Sequence, residues 1–208
     1  MNLLERWNEG GAGMYPIALA ALVGVAIILE RAAFLFGAAR MNKGALLRGL
    51  EAALKEGGID GGLRFVAGQR PAPLVLVVKS ALMNTEHGAE EVQAALDEAC
   101  LRETPRLEAR TGYLSMLGNA AMLAGLLGTV SGLIESFRVV AHVAAAEKAT
   151  ILSGSISEAM NCTFFGLVVA IPMLVAYSVL MGRTQSLIND MNEASVSVLN
   201  LLTRRHFR

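Results

Sequence analysis

Three side chains in this sequence could handle an ion: Thr129, Thr163 and Glu158. Thr129 lies in NAAMLAGLLGTVSGLIESF (Asn119–Phe137), and Glu158 and Thr163 lie in ISEAMNCTFFGLVVAIPMLVAY (Ile156–Tyr177). Both stretches are otherwise small or apolar, so they read as membrane-spanning. An ionisable group in hydrocarbon is costly and marks an ion or proton pathway by default. A neutral hydroxyl can exchange hydrogen bonds with water or a carboxylate without adding a second buried charge. The plainer alternatives stand beside these. A membrane threonine or serine, Ser131 included, can bond back to the preceding turn of its own helix. Glu158 can sit near a span end and reach water. It can equally be buried and held by hydroxyls such as Ser155, Ser157 or Thr129, where desolvation favours the neutral acid that a proton relay needs.

The elements that carry these groups are helices rich in small residues. At about 100° per residue, Ser155, Ala159, Thr163, Gly166, Ala170 and Tyr177 share one helix face. Small residues let membrane helices approach closely, so this face suits helix packing, and it suits a narrow, weakly polar pore wall as well. Glu158 and Asn161 fall on a neighbouring face. In the preceding stretch Gly118, Gly125, Gly128 and Gly132 recur at spacings of seven, three and four, again a packing pattern. Pro172 predicts a kink and a free carbonyl near residue 168. Glu135 is expected to be solvated at the outer end.

Composition agrees with a membrane protein. The 208 residues are 54% hydrophobic and 17% charged, below the ~25% charge of a soluble domain. Net charge is zero, which gives no footprint for nucleic acid. Cys100 and Cys162 lie in unlike surroundings, so no disulfide is expected, and the histidines at 87, 142 and 206 show no metal-ligand spacing. No internal repeat or low-complexity segment is evident.

Taken in order, Trp7 is a candidate interfacial anchor and Met14–Phe36 is long enough to span if Glu30-Arg31 lies near the headgroups. A cleaved signal peptide fits less well, given the acids in the leading segment and the long apolar run. Residues 37–112 are aqueous, with ten basic and ten acidic side chains. Ala45, Leu46, Leu50, Ala53 and Leu54 predict a helix that Gly57-Gly58 ends, and Arg70–Pro73 is a loop. Leu74–Val78 has strand-like composition but is read as helix, because it continues into Lys79–Met83 and no partner strand is evident. Val92, Ala95, Leu96 and Ala99 predict a helix that passes Pro105 with a kink and runs directly into the second span. That span covers about 113–137, residues 138–152 connect, and the third span starts in the 150s and ends near Met181. An amphipathic extension follows, with Leu187, Met191, Ala194, Val198 and Leu201 on one face. The domain plan is therefore 1–36, 37–112, 113–181 and 182–208. Arg40, Lys43, Arg106, Arg110, Arg183 and the terminal arginines lie on one side, against Arg6, Arg138 and Lys148 on the other. The positive-inside rule then puts the N-terminus outside and both the large loop and the C-terminus in the cytoplasm.

The chain resembles the MotA/TolQ/ExbB family of ion-channel subunits, and its ExbB- and TolQ-like members most. The resemblance rests on GLLGTVSGLIESF (125–137), ISEAMNCTFFGLVVAIPMLVAY (156–177), LDEACLRETPRLE (96–108) and the first span ending Leu29-Glu30-Arg31. It implies an all-α membrane protein with three transmembrane helices, long cytoplasmic helical extensions and a ring-forming homo-oligomer. It implies a homopentamer around two single-span subunits of the ExbD/TolR type, work passed to a TonB/TolA-like protein, and a bacterial inner membrane location. Thr129 and Thr163 match the family's pore threonines and Glu158 its third-span glutamate, while Gly125, Gly128, Gly132, Gly166 and Pro172 shape the helices. The transported ion would be a proton or sodium, with no other cofactor. Met122 stands where relatives commonly have proline, Ser178 where they have asparagine, and the N-terminus lacks the periplasmic extension of some members. The rival to a conducting subunit is a non-conducting membrane scaffold. An enzyme is disfavoured, because no span carries a histidine or a clustered catalytic set.

Overall fold

The computed structural model of the chain describes residues 13–38 and 41–206, the backbone alone at 38, 205 and 206. Trp7, Arg6, Arg40 and the terminal Phe207-Arg208 lie outside the described residues. The described chain is helical, with no strand: α1 (Met14–Ala38), α2 (Lys43–Ala67), α3 (Pro73–Met83), a 3-10 turn (Thr85–His87), α4 (Ala89–Glu108), α5 (Thr111–Val140) and α6 (Ala145–His206). Three helical stretches are long and apolar enough to cross a membrane: Met14–Gly37, Ala89–Val140 and Ala145–Arg204. Two compact units divide the chain. One holds the described residues up to Glu30 with Arg110–Val179; the other holds Arg31–Ala109 and the chain from Leu180.

In the second unit, α2 starts at Asn42, whose side chain accepts from the Ala45 amide at 3.2 Å and so satisfies one free donor of the first turn. Gly57 and Gly58 leave helical geometry, Gly58 at φ 60°, ψ −150°. The chain folds back there. The Phe65 ring lies on Gly49, and a Cβ on Gly61 would meet the Ala53 carbonyl oxygen at 2.5 Å, contacts that a straight helix cannot make. The expected helix end at the glycine pair is therefore the turn of a helical hairpin. Leu74–Val78 is helical as expected, with Pro73 in the first turn, where its missing N–H costs nothing. Leu46, Leu50, Leu54, Val77, Val78, Val92 and Leu96 form the buried centre. The amphipathic face of α6 has its expected centre, Met191, Ala194 and Val198 being buried, and differs at its ends, where Ile188 and Leu202 are buried while Leu187 and Leu201 are half-buried. Lys43 reaches Asp190 at 3.0 Å and Glu193 at 2.5 Å. Hydrogen bonds to Glu193 and then Asp190 raise its pKa, which holds the ammonium charged.

The helix through Pro105 does not continue into the second span. It ends at Glu108, and Arg110 takes a left-handed φ of 61°. Arg31 supplies a physical cause. Its guanidinium is buried and donates to the carbonyls of Arg106 (3.2 Å) and Leu107 (2.5 Å). An unbroken helix would give those carbonyls to the amides of residues 110 and 111. A cation at a helix C-terminus also suits the helix dipole. Arg31, placed by sequence at the headgroups, is in this unit an internal cap, stacked 4.9 Å from the Phe34 ring centre.

The connection between the last two helices is also shorter than expected. α5 runs to Val140 and α6 begins at Ala145, so only residues 141–144 turn the chain. α6 then runs unbroken for 62 residues, through Pro172 and into the extension.

The turn at Gly58 gives a test. Gly57 sits at φ −129°, open to other residues, whereas Gly58 occupies a region reserved for glycine, and neither has a neighbour that a Cβ would touch. Gly58→Ala is expected to cost about 2 kcal/mol from backbone strain alone, lowering Tm by about 4–8 °C. Gly57→Ala should leave Tm nearly unchanged. Thermal unfolding of the two purified variants checks the pair.

Candidate functional site

The candidate site lies in the first unit, between α5 and the part of α6 up to Val179. Gly118, Gly125 and Gly132 recur every seven residues and face α6. A Cβ on Gly125 would stand 3.0 Å from the Cys162 carbonyl oxygen and 3.2 Å from the Cα atoms of Thr163 and Gly166. A Cβ on Gly166 would stand 2.9 Å from the Ala121 carbonyl oxygen. The two backbones thus touch, which only small residues allow. Gly128 points another way. It makes room for the Cys162 thiol, which packs beside Gly13 and within the core of Met14, Ile17 and Phe165. Sequence reasoning passed over Cys162 as a packing residue, because a cysteine in an apolar run carries no spacing signal.

Close approach brings the two threonines together. The hydroxyls of Thr129 and Thr163 are hydrogen-bonded to each other. Thr129 Oγ1 also lies 3.0 Å from the Gly125 carbonyl and 3.2 Å from that of Ala159, and Thr163 Oγ1 lies 3.1 Å from the Gly125 carbonyl. Each hydroxyl has one proton to donate. Two arrangements satisfy both. Thr129 can donate to Thr163 while Thr163 donates to Gly125, or Thr163 can donate to Thr129 while Thr129 donates to Gly125 or Ala159. Rotating two O–H bonds interconverts them. Both threonines are half-buried, so an outside group can still reach the pair.

Of the small-residue face, Ala159, Gly166 and Ala170 are buried and Ser155, Thr163 and Tyr177 half-buried. Ser131 bonds back to the Leu127 carbonyl at 2.9 Å, the local pattern foreseen for a membrane serine. Glu158 is exposed and has no hydrogen-bond partner among the described residues, Ser155, Ser157 and Thr129 included. It lines a depression of about 210 Å³ with Gly128, Ser131 and Ala159. Asn161, expected to share its face, is buried instead. Pro172 and Met122 are both exposed on unbroken helices. Leu123, Leu127, Val130 and Ile134 of α5 and Met160, Phe164, Ile171 and Val175 of α6 are exposed apolar side chains, as a lipid or protein environment requires. Among the described residues no group of His, Cys, Asp and Glu could hold a metal.

A model of the MotA/TolQ/ExbB proton channel family matches residues 69–193. The chain is 40% identical over 99 residues to the Tol-Pal system protein TolQ of Pseudomonas aeruginosa, covering 48% of this chain and 42% of that protein. It is 33% identical over 115 residues to the biopolymer transport protein ExbB of Pseudomonas putida, covering 55% and 35%. It is 27% identical over 198 residues to ExbB of Salmonella typhimurium, covering 92% and 80%. The chain thus spans less than half the length of the first two.

The hydroxyl pair predicts non-additive stability. Thr129→Ala and Thr163→Ala should each cost about 0.5–1.5 kcal/mol, and the double variant should cost less than their sum by about 0.5 kcal/mol or more. A double-mutant cycle on detergent-solubilised protein measures the coupling.

Proposed function

The chain belongs to the MotA/TolQ/ExbB proton channel family, and from that premise we propose that it is the ring subunit of an ion-driven motor in a bacterial inner membrane. It assembles as a homopentamer around two copies of a single-span subunit of the ExbD/TolR type. Proton flow through the complex drives work at the periplasm or outer membrane, passed on through a TonB/TolA-like protein. The N-terminus faces the periplasm and the C-terminus the cytoplasm.

One observation carries this: the hydrogen-bonded Thr129 and Thr163 hydroxyls, held between two contacting helices and still half-open on one side. Three spans cannot enclose a water-filled path, so the open side must be closed by other chains, and a ring of copies is the simplest closure. A partner carboxylate reaching the pair could exchange a hydrogen bond with it. Protonation would remove the carboxylate's charge and with it the cost of facing an apolar wall. Each proton then becomes a step of relative motion. Glu158, exposed beside its depression, is placed to gather cations ahead of the pair. Thr163→Ala removes one hydroxyl without adding volume.

The scaffold alternative draws on the same geometry, since every hydroxyl proton of the pair already has an acceptor within the chain. Flux separates the two. Native mass spectrometry should give a pentamer that captures two single-span partners, for the wild type and for Thr163→Ala alike. Proton flux in proteoliposomes should fall to the level of empty vesicles for Thr163→Ala and fall partway for Glu158→Gln. Full flux in Thr163→Ala would leave the scaffold.

A further inference from the structure

The break between α4 and α5 falls where the sequence favours helix. Arg106-Leu107-Glu108-Ala109-Arg110 contains only residues that rank among the best helix formers. Yet Ala109 leaves the helix at φ −47°, ψ 139°, and Arg110 is the one non-glycine with positive φ among the described residues, at 61°. The nearby breakers do not account for it. Pro105 disturbs the turn before it and lies inside α4, and Gly112 is helical. The turn at Gly57-Gly58 arises from its own residues, whereas this one is imposed by contacts from elsewhere in the chain.

Two adjacent side chains of α1 supply those contacts, one on each side of the break. Arg31 holds the Arg106 and Leu107 carbonyls at the end of α4, and the buried Thr184 hydroxyl lies 3.5 Å from the same Leu107 oxygen. Glu30 pairs at 2.8 Å with Arg110, the residue that precedes the first turn of α5. Consecutive helix positions point about 100° apart, so one turn of α1 can serve both. Local propensity thus favours one helix and a few side-chain contacts favour two. Opposed preferences carried by so few groups make a two-state element.

We propose that Glu30 and Arg31 operate residues 108–111 as a switchable joint, broken while α1 presents both side chains and a continuous helix when they withdraw. In the continuous form the amides of residues 110 and 111 take the two carbonyls that Arg31 held, so those carbonyls are paired in either form. Arg110 then returns to negative φ and its strain is relieved. α5 carries Thr129, so the joint ties the position of α1 to the start of a helix that bears the hydroxyl pair. This goes beyond the ring-subunit function and holds whether or not the chain conducts.

Amide hydrogen exchange of the full-length protein in detergent, read as protection over residues 108–113, tests it. Two substitutions at the exposed Arg110 act in opposite directions. Arg110→Gly removes the cost of positive φ and weakens a helix, whereas Arg110→Ala keeps that cost and favours the helix. Both lose the Glu30 pair equally. Protection in Arg110→Ala should exceed that in Arg110→Gly by about fivefold to tenfold. Arg31→Lys, whose ammonium lacks the guanidinium fork, should raise protection in this segment, and adding Arg110→Gly to it should return protection to the wild-type level. Glu30→Gln should raise it by about twofold, as for the loss of one exposed ion pair. A purely structural Arg31 gives the opposite sign, because its loss would loosen the segment. Equal protection in the two Arg110 variants, or lower protection in Arg31→Lys, makes the break a fixed kink and overturns the inference. The ring-subunit function is read separately, by partner capture and flux, and stands or falls without it.

Discussion

The contact between Gly125 and Gly166 is the constraint from which the rest of the candidate site follows. With a Cβ at either position, α5 and α6 would have to part, because the atoms in the way are backbone carbonyls and Cα atoms that cannot rotate aside. At the observed separation the Gly125 carbonyl becomes common to both helices. It can accept the hydroxyl of Thr129 from its own helix or that of Thr163 from the next. Moving the helices apart by the thickness of a methyl group would leave each threonine bonding only to its own preceding turn. The glycines therefore act on the chemistry without touching it. They decide whether two ordinary membrane threonines behave singly or as a pair.

A pair has a property that single hydroxyls lack. Its two hydrogen-bonded arrangements use the same atoms and differ only in direction, so an approaching carboxylate or hydronium can bias one without creating an unsatisfied donor. Cys162 serves the same arrangement from behind. Its carbonyl is against Gly125 and its thiol fills the space left by Gly128 and Gly13, so one residue locks α6 to α5 and to the chain segment leading into α1.

Much of this was legible in the sequence, and what was not has a common cause. The close contact of α5 and α6 could be read because glycines at helical spacing let membrane helices approach, and the helical nature of Leu74–Val78 followed from its continuation into Lys79–Met83. The break before Arg110 could not be read, because it depends on Arg31, 75 residues away, taking carbonyls that local sequence assigns to the helix itself. The exchange of Leu187 and Leu201 for Ile188 and Leu202 at the ends of the buried face of α6 is of the same kind. Both pairs are apolar, and only the neighbouring helices decide between them.

The faces left apolar and exposed complete the reasoning about assembly. In α5 and α6 side chains turned away from the glycine contact, among them Leu123, Leu127, Ile134, Met160, Ile171 and Val175, are large, apolar and exposed. Lipid alone would satisfy them, but lipid would also seal the half-open side of the hydroxyl pair and leave it nothing to exchange with. In the proposed ring a neighbouring copy would cover the apolar faces and leave the threonines on the inner wall, where a polar group on a central partner would reach them. On the proposed function, the small residues that bring two helices into contact build one side of an enclosure, which further copies would close.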